Sequence, residues 1–242
     1  MKKLILALLL LTSFESYTQN RETVYQLHSW WMYFGNHRIT NTWSVHTEYQ
    51  FRRADFAASW QQSLTRIGID YRIHDNIILT AGYGFIRTFP YGEQPIAETF
   101  DEHRIWQTLT LTQPGKFVNI QHRYRLEQRW LERFSTEENN GYLYLNRIRY
   151  RLLLNKPISI GQKPTKWFVT VSTEVFIGFG KNVAKNIVDQ NRLAVTLGYT
   201  YKTHGNIQLG YMNQTVIKRD GVKQEQNSTI TLALTYNIDF RK

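Results

Sequence analysis

The chain of 242 residues contains no cysteine, so it forms no disulfide and offers no thiolate to a metal or to a lipid anchor. A domain of this size buries enough surface to be stable outside the cytoplasm without disulfides. Beyond the first residues no run of about 18 apolar residues occurs, so no membrane helix is predicted. Acidic residues are scarce, 19 against 30 lysines and arginines, which leaves a net charge of +11.

A basic balance of this size would suit nucleic acid or an anionic surface. The N-terminus argues against nucleic acid, because residues 1–18 have the pattern of a signal peptide. Two lysines precede an apolar core at 4–11 that is too short to span a bilayer as a helix, and small residues suit cleavage between Thr18 and Gln19. We therefore expect export without a lipid anchor, no nucleic-acid partner, and a single domain over residues 19–242.

Apolar and polar residues alternate along much of the chain. In residues 41–53, 166–179 and 227–240, apolar side chains take every second position and mostly polar side chains lie between them. Successive side chains of a β-strand point to opposite faces, so each segment predicts a strand with two different faces. The expected fold class is therefore all-β.

Strand-like segments are joined by connections that alternate in length. The segments lie near 22–34, 41–53, 60–73, 77–88, 102–113, 117–130, 142–154, 166–179, 190–202, 207–217 and 227–240. Turns are predicted at 35–40, 74–76, 114–116, 155–165 and 203–206, and longer polar loops near 53–59, 89–101, 131–141, 180–189 and 218–226. Short periplasmic turns and longer extracellular loops are typical of a single antiparallel outer-membrane barrel.

The number of segments, eleven, conflicts with the even strand number that is usual for bacterial single-chain barrels. The connections alternate without a break from residue 35 onward, so the surplus lies in the N-terminal segment Glu22–Phe34. Either this segment lies outside the wall, which leaves ten strands, or it bends and counts twice, which makes twelve. The expectation is a transmembrane β-barrel of about 10–12 strands.

A soluble barrel with an apolar interior would show the same alternation, so the direction of the faces needs separate evidence. The clearest segments, at 11 to 14 residues, exceed ordinary strands and suit a tilted crossing of a bilayer. Aromatic residues collect near strand ends as in an interfacial girdle, and Phe240 ends the last predicted strand. Because ionised residues also lie in mid-strand, we expect the apolar face to contact outer-membrane lipid.

One segment indicates what the other face carries. In HRYRLEQRW, residues 122–130, the odd positions are Arg123, Arg125, Glu127 and Arg129. In a membrane barrel these side chains would face the lumen. The apolar spacing in and after this segment would also suit an amphipathic helix, an alternative that the period-two pattern of the flanking residues disfavours.

The same face, followed around the barrel, predicts a lumen rich in arginine. Its arginines are Arg52, Arg66, Arg72, Arg104, Arg123, Arg125, Arg129, Arg147, Arg149, Arg151 and Arg192, and its acids are Glu48, Asp70, Glu102, Glu127, Glu174 and Asp239. The candidate site is a charge network of Glu48, Arg123, Arg125, Glu127, Arg129, Arg147, Arg149, Arg151, Glu174 and Arg192. Arginine pairs bidentately with carboxylates, so one interpretation is a structural network that fills a narrow lumen. The other is an interior that attracts or passes a small anionic solute.

Several motifs resemble a known family. HRYRLEQRW, RIRYRLLLN, VDQNRLAVTLGYTY and LGYMNQ are similar to the uncharacterised bacterial outer-membrane family known as domain of unknown function 2490, from about residue 25 to the C-terminus. The most specific parts are Arg123–Arg129 and the group Asp189, Gln190, Asn191 and Arg192. The family usually has an aromatic residue before this group, where Val188 stands here. The resemblance implies a small outer-membrane barrel of unestablished activity and implies no catalytic residues.

Enzymatic signatures are sparse. Outer-membrane phospholipase barrels use a serine nucleophile with a histidine base, and the nearest fragments here are His28-Ser29 and Asn227-Ser228. Adjacent residues of a strand point to opposite faces, so neither pair makes a nucleophile–base contact within its strand. No histidines are spaced as a metal pair, and no cofactor is predicted. We expect a non-enzymatic barrel, with a lipid-modifying enzyme as the less supported alternative.

Acidic residues gather in or directly beside two of the predicted loops, 89–101 and 131–141. They are Glu93, Glu98, Asp101, Glu102, Glu132, Glu137 and Glu138. This pattern predicts an acidic outer rim that contacts another envelope protein, as the alternative to a solute in the lumen.

Overall fold

The computed structural model describes residues 21–134, 141–161, 163–201 and 204–241. The predicted signal peptide and its cleavage point lie outside these residues. The described part is all-β, as the alternation predicts, and it contains no helix that is long and apolar enough to cross a membrane.

Eleven strands form the wall. They are β1 (Glu22–Arg38), β2 (Trp43–Ala54), β3 (Ser59–His74), β4 (Ile77–Thr88), β5 (Phe100–Gln113), β6 (Asn119–Glu132), β7 (Tyr142–Ile160), β8 (Lys163–Phe179), β9 (Val188–Tyr201), β10 (Gly205–Ile217) and β11 (Lys223–Tyr236). Each strand pairs antiparallel with its chain neighbours, and β1 closes the barrel by pairing parallel with β11.

Both expectations for the N-terminal segment are wrong. β1 is one continuous wall strand of 17 residues, so the barrel has neither ten nor twelve strands. With an odd number of strands, the first and the last run in the same direction, and only a parallel ladder can join them. This ladder extends over thirteen residue pairs, from Glu22 with Lys223 to Phe34 with Thr235. It satisfies the backbone groups that two free edges would leave unpaired.

The strands end at two different rims. The turn rim holds the connections at 39–42, 75–76, 114–118, 161–162 and 202–204, and the loop rim holds those at 55–58, 89–99, 133–141, 180–187 and 218–222. Two of the connections predicted as long loops are short, those at 55–58 and 218–222. β2 and β3 are joined by four residues, with Asp55 and Phe56 at φ values of 49° and 62°.

Two further boundaries differ from the prediction. The stretch 155–165 is mostly strand rather than connection, because β7 continues to Ile160 and β8 begins at Lys163. The last strand ends at Tyr236, and the chain then follows the end of β1, where the Phe240 amide donates to the Arg38 carbonyl at 2.9 Å. At 155–165, the hydrogen bonds between β7 and β8 thus outweigh a residue composition that favours a turn.

The outward face of the wall is apolar. Leu232 and Val171, both in mid-strand, keep 41 % and 39 % of their surface exposed, whereas their inward neighbours Thr231 and Thr170 are buried. A soluble protein does not leave so many large apolar side chains in water, so this face is that of a membrane-spanning barrel.

Aromatic pairs lie on the outward face near both rims. Trp43 contacts Tyr71 with ring centroids 4.6 Å apart at the turn rim, and Trp130 contacts Tyr144 at 5.2 Å toward the loop rim. Each pair joins residues that are directly opposite on neighbouring strands. Such cross-strand pairs stabilise the sheet and match the aromatic girdles of membrane barrels.

Candidate functional site: the arginine lumen and the mouth

The hairpin of β6 and β7 sets the geometry of the lumen. Its inward residues face each other in pairs, Arg125 opposite Arg149 and Glu127 opposite Arg147. Like charges directly opposite in a ladder destabilise it, so the arginine pair requires carboxylates on adjacent positions. Glu127 is one of these, and Glu174 from β8 is the other.

Glu127 is the centre of the network and is completely buried. Its Oε2 accepts hydrogen bonds from Nε and Nη2 of Arg147 at 2.9 and 2.7 Å. Its Oε1 accepts from Nη1 of Arg149 at 2.8 Å and from Nη1 of Arg104 at 3.2 Å, and Nη2 of Arg66 lies 3.8 Å away. Burying a carboxylate costs several kcal/mol unless opposite charge and hydrogen bonds compensate it, and here arginines from three other strands do so.

Two more carboxylates extend the network along the lumen. Toward the loop rim, Glu102 binds Nε and Nη2 of Arg129 at 2.7 and 2.8 Å and also accepts from Arg104 at 2.6 Å. Toward the turn rim, Oε1 of Glu174 accepts from Arg123 at 2.7 Å and from Arg149 at 2.8 Å. Each carboxylate therefore cross-links arginines from different strands.

Glu48 on β2 binds the polar side chains on the opposite side of the lumen. Its Oε1 accepts from Nη1 of Arg66 at 2.6 Å and from the Gln50 amide, and its Oε2 lies 3.4 Å from Nε2 of His46. Arg66 also approaches Glu127, so it links the β2–β3 side of the lumen to the β6–β7 side. The network therefore spans the interior.

Asp189 enters the network through a β-bulge. Ile177 pairs with Val188 and Phe176 pairs with Gln190, which leaves Asp189 without a partner on β8. A bulge of this kind redirects a side chain. The Asp189 carboxylate reaches Nη1 of Arg147 at 3.0 Å, while its Oδ1 is buried without a hydrogen-bond partner.

Some lumen arginines contact no carboxylate in the described part of the chain. They are Arg52, Arg125, Arg151 and Arg192. Their donors bind amides and hydroxyls instead, as Arg52 binds Gln62 at 2.6 Å. Aromatic faces hold three of them, with Arg52 at 3.8 Å and Arg192 at 4.9 Å from the Trp30 ring centroid and Arg125 at 4.7 Å from Trp106. These groups leave the lumen with a surplus of positive charge.

Side chains fill the middle of the lumen. Glu127, Trp106 and Phe176 all point inward and keep none of their surface accessible, although a residue that lines a water-filled channel would keep some. A cavity of about 60 Å³ remains between Arg52, Arg66, Arg104, Arg129, Arg147, Arg149 and Arg192, with Glu102 as the one acid in its lining. This cavity has room for a few water molecules or one small anion.

The ten residues of the predicted network do not all meet at one point. Arg125, Glu127, Arg147 and Arg149 occupy the middle together, with Glu174, Arg123 and Glu48 bound to its edges and Arg129 held toward the loop rim. Arg151 is nearer the turn rim and binds Gln121 at 2.6 Å, while Arg192 lies between aromatic rings.

One acidic residue lies elsewhere than predicted, and another lies in one of its two predicted places, the lumen. Asp239 follows the last strand, outside the lumen, and pairs with Arg241 at 2.5 Å, which holds the Asp239 pKa down at about 2. Glu102, also expected on an acidic rim, is buried in the lumen with Arg104. Glu137 and Glu138 of that predicted rim lie outside the described residues.

The motif group of Asp189, Gln190, Asn191 and Arg192 is divided by the wall. Asp189 points inward because of the bulge, Gln190 and Arg192 line the central cavity, and Asn191 is exposed on the opposite face. The group therefore forms no single binding site, although three of its members belong to the lumen.

Sequence reasoning did not find a second polar cluster at the seam of β1 and β11. Glu225 is completely buried and accepts from Tyr91 Oη at 3.0 Å, from Asn227 at 3.2 Å and from Lys218. Burial and the neighbouring Glu225 charge raise the pKa of Tyr91. The ring of His28 packs edge-on against Tyr91, with centroids 5.5 Å apart. The pairing of β1 with β11 places His28 near Glu225 and Asn227, and the connections at 89–99 and 218–222 add Tyr91 and Lys218.

No nucleophile–base pair arises from the serine and histidine fragments. Ser29 points away from His28 and donates to the Phe56 carbonyl, and Ser228 lies 2.9 Å from the Tyr211 hydroxyl on the outward face. Across the described ranges, no three histidine or acidic side chains are grouped as metal ligands.

The lumen opens at the loop rim into a wide entrance, which we call the mouth. It consists of two adjoining cavities of about 240 and 670 Å³, whose linings share Phe100, Leu131, Lys218 and Arg219. The deeper cavity reaches Arg147, so its floor is the charge network.

Comparison with known proteins gives a family but no activity. The model of the family described as "Protein of unknown function (DUF2490)" matches residues 27–226. No curated protein sequence matches the chain. A solved structure titled "NanC porin structure in rhombohedral crystal form" is similar, with 11 % sequence identity, a TM-score of 0.46, and coverage of 79 % of this chain and 84 % of that one. These values are too low to transfer any property of that porin.

Proposed function

The chain belongs to the DUF2490 family of unknown function, and from its own geometry we propose that it is an outer-membrane interaction barrel with a closed lumen. In this function the arginine network cross-links the wall, and the barrel meets its solute or protein partner at the loop rim. The observation that supports it is the complete burial of Glu127, Trp106 and Phe176 in the middle of the lumen.

The location follows from surface chemistry and from the predicted leader. An apolar outward face with aromatic pairs near both rims matches the hydrocarbon and interfacial layers of a bilayer. Export followed by membrane insertion as a barrel leads to the outer membrane of a Gram-negative cell. The turn rim then faces the periplasm and the loop rim faces outward.

Closure follows from packing. Buried arginines and carboxylates are stable only where each charge has partners, and Glu127 alone has contacts to four guanidinium groups. Opening a continuous water path would break these contacts and separate the aromatic rings from Arg52 and Arg192. The closed state is therefore the ground state.

Conductance across a planar lipid bilayer tests the proposal. The wild-type barrel, inserted at high protein density, should give no steady ohmic current. Insertion is verified independently by the heat-dependent shift in gel mobility that folded barrels show. A reproducible single-channel current from the wild type would contradict the closed lumen.

A second candidate is a narrow anion-attracting pore, and the surplus arginines favour it. The central cavity is lined by seven arginines and one acid, so any ion that entered it would be an anion. If current is observed, reversal potentials under a chloride gradient distinguish the two signs of charge. Cation preference would contradict this candidate as well.

A further inference from the structure

We propose that the mouth binds a small amphiphilic anion, whose apolar part lies against inward leucines and whose acidic group lies at the basic edge. The inference rests on the proposed closed lumen, because closure makes the mouth a pocket with a floor.

The inward side chains of β6 and β7 change from charged to apolar at the mouth. On β6 the inward residues Glu127 and Arg129 are followed by Leu131, and on β7 Leu143 and Leu145 precede Arg147. Leu131 and Leu143 are directly opposite in the ladder, and both are only half-buried. The lumen of a membrane barrel is normally polar, so a group of partly exposed leucines on its inner face offers a local apolar wall to a ligand.

The space in front of these leucines has the size of a ligand pocket. The deeper cavity of about 240 Å³ is lined by Leu145 and Ile217, and the wider one of about 670 Å³ by Leu143 and Phe134. Typical small-molecule sites measure about 300 to 1,000 Å³, with mainly apolar walls and a few polar groups. The mouth therefore has the size to accept an apolar chain or ring.

The edge of the mouth supplies cationic groups with spare donors. Arg219 is exposed, and its side chain donates a long hydrogen bond of 3.4 Å to the Asn182 carbonyl. Lys223, also exposed, lies in the same lining. Lys218, by contrast, is already engaged by Glu225. Arg219 and Lys223 are therefore the groups that would bind an acidic ligand.

Four acids line the mouth: Asp189 is paired with Arg147, Glu93 is exposed on its loop, and Asp220 and Glu132 accept hydrogen bonds from backbone amides. Oδ1 of Asp220 accepts from the amides of Val222 and Lys223, both at 2.9 Å, and this lowers the Asp220 pKa. Oε2 of Glu132 accepts from the Asp101 amide at 2.9 Å. The amide dipoles partly neutralise the Asp220 and Glu132 carboxylates, so Arg219 and Lys223 beside them still attract an anion.

Calorimetric titration of the folded protein in lipid nanodiscs tests the inference with three probes, against empty nanodiscs of the same lipid. Octanoate carries both features, acetate only the charge, and octan-1-ol only the apolar chain. Octanoate should bind saturably with one site per barrel, and at least tenfold more tightly than acetate or octan-1-ol. No saturable octanoate binding above the empty nanodiscs, or equal affinity for octan-1-ol, would overturn the proposal.

Two matched pairs of variants locate the site. Arg219→Gln combined with Lys223→Gln should weaken octanoate binding at least fivefold, whereas Lys116→Gln at the turn rim should not change it. Leu145→Asn should weaken it similarly, whereas Leu153→Asn, also inward on β7 but nearer the turn rim, should not. Unchanged affinity in both mouth variants, with folding verified by gel mobility, would place the ligand elsewhere and contradict the inference.

The result of the octanoate titration can be distinguished from the result of the conductance test of the proposed function. Loss of octanoate binding in a barrel that conducts no current rejects the ligand class and leaves the closed lumen standing. Current in the absence of ligand rejects the closed lumen, and with it the floor on which the mouth site depends.

Discussion

Arg149 lies directly opposite Arg125 across the β6–β7 ladder, yet the two guanidinium groups bind different partners. Arg149 binds both Glu127 and Glu174, whereas Arg125 donates to the Thr108 hydroxyl and lies over the Trp106 ring. The lumen therefore contains two classes of arginine, those that cross-link carboxylates and those that add uncompensated charge. The two classes should respond differently to substitution.

The first prediction compares this pair. Arg149→Met should lower the free energy of unfolding by about 3–5 kcal/mol, because it leaves two buried carboxylates short of a partner. Arg125→Met should cost about 1–2 kcal/mol, since it removes one hydrogen bond and one cation–π contact but also a like charge. Urea unfolding in lipid vesicles measures both. Equal losses would mean that the two arginines are not distinct.

The second prediction concerns the centre of the network. Glu127→Gln keeps the shape of the side chain but leaves Arg104, Arg147 and Arg149 around a neutral group, and should cost about 3–5 kcal/mol. Glu93→Gln, in an exposed part of a loop, is the matched control and should change stability by less than about 0.5 kcal/mol. Similar unfolding midpoints for the two variants would contradict a structural role for Glu127.

The third prediction tests which face meets lipid. Leu232→Arg places a charge at an outward mid-strand position and should cost about 2–4 kcal/mol if that position lies near the bilayer midplane. Leu232→Met keeps an apolar side chain and is the control, with a cost below about 1.5 kcal/mol. An arginine variant as stable as the methionine variant would show that this face does not contact hydrocarbon.

From the alternation alone, Thr231→Arg on the lumen side would be expected to cost much less than Leu232→Arg, but the burial of Thr231 predicts a larger cost. Thr231 is only 5 % exposed and pairs with Trp30, so an arginine has no space there. An inward-facing residue of this barrel can therefore be too tightly packed to accept a larger side chain.

The fourth prediction tests the parallel seam. Leu27 and Ser228 are register partners with outward side chains, and neighbouring strands place such Cα atoms about 5 Å apart, within reach of a disulfide. Because the chain has no cysteine of its own, Leu27→Cys with Ser228→Cys should cross-link cleanly under mild oxidation. Leu27→Cys with Leu234→Cys, about 20 Å apart along the seam, should not. The reverse result would exclude β1 from this position in the wall.

The alternation along the sequence determined the all-β class, most strand positions, and which side chains face inward or outward. These are local properties, because the direction of a side chain in a strand depends only on its position along two or three residues. The arginine-rich inner face followed from the same rule, and so did the apolar outer face that Leu232 and Val171 represent.

Only the tertiary structure decided the strand number, the partners of the lumen arginines and the closure of the lumen. The seam joins Glu22 to Lys223, some two hundred residues apart, and no local pattern indicates that β1 lies parallel to β11. The redirection of Asp189 depends on how β8 and β9 pair, and the meeting of four arginines at Glu127 depends on the diameter of the closed barrel. Such features arise from register and closure between distant strands, which a period-two pattern leaves open.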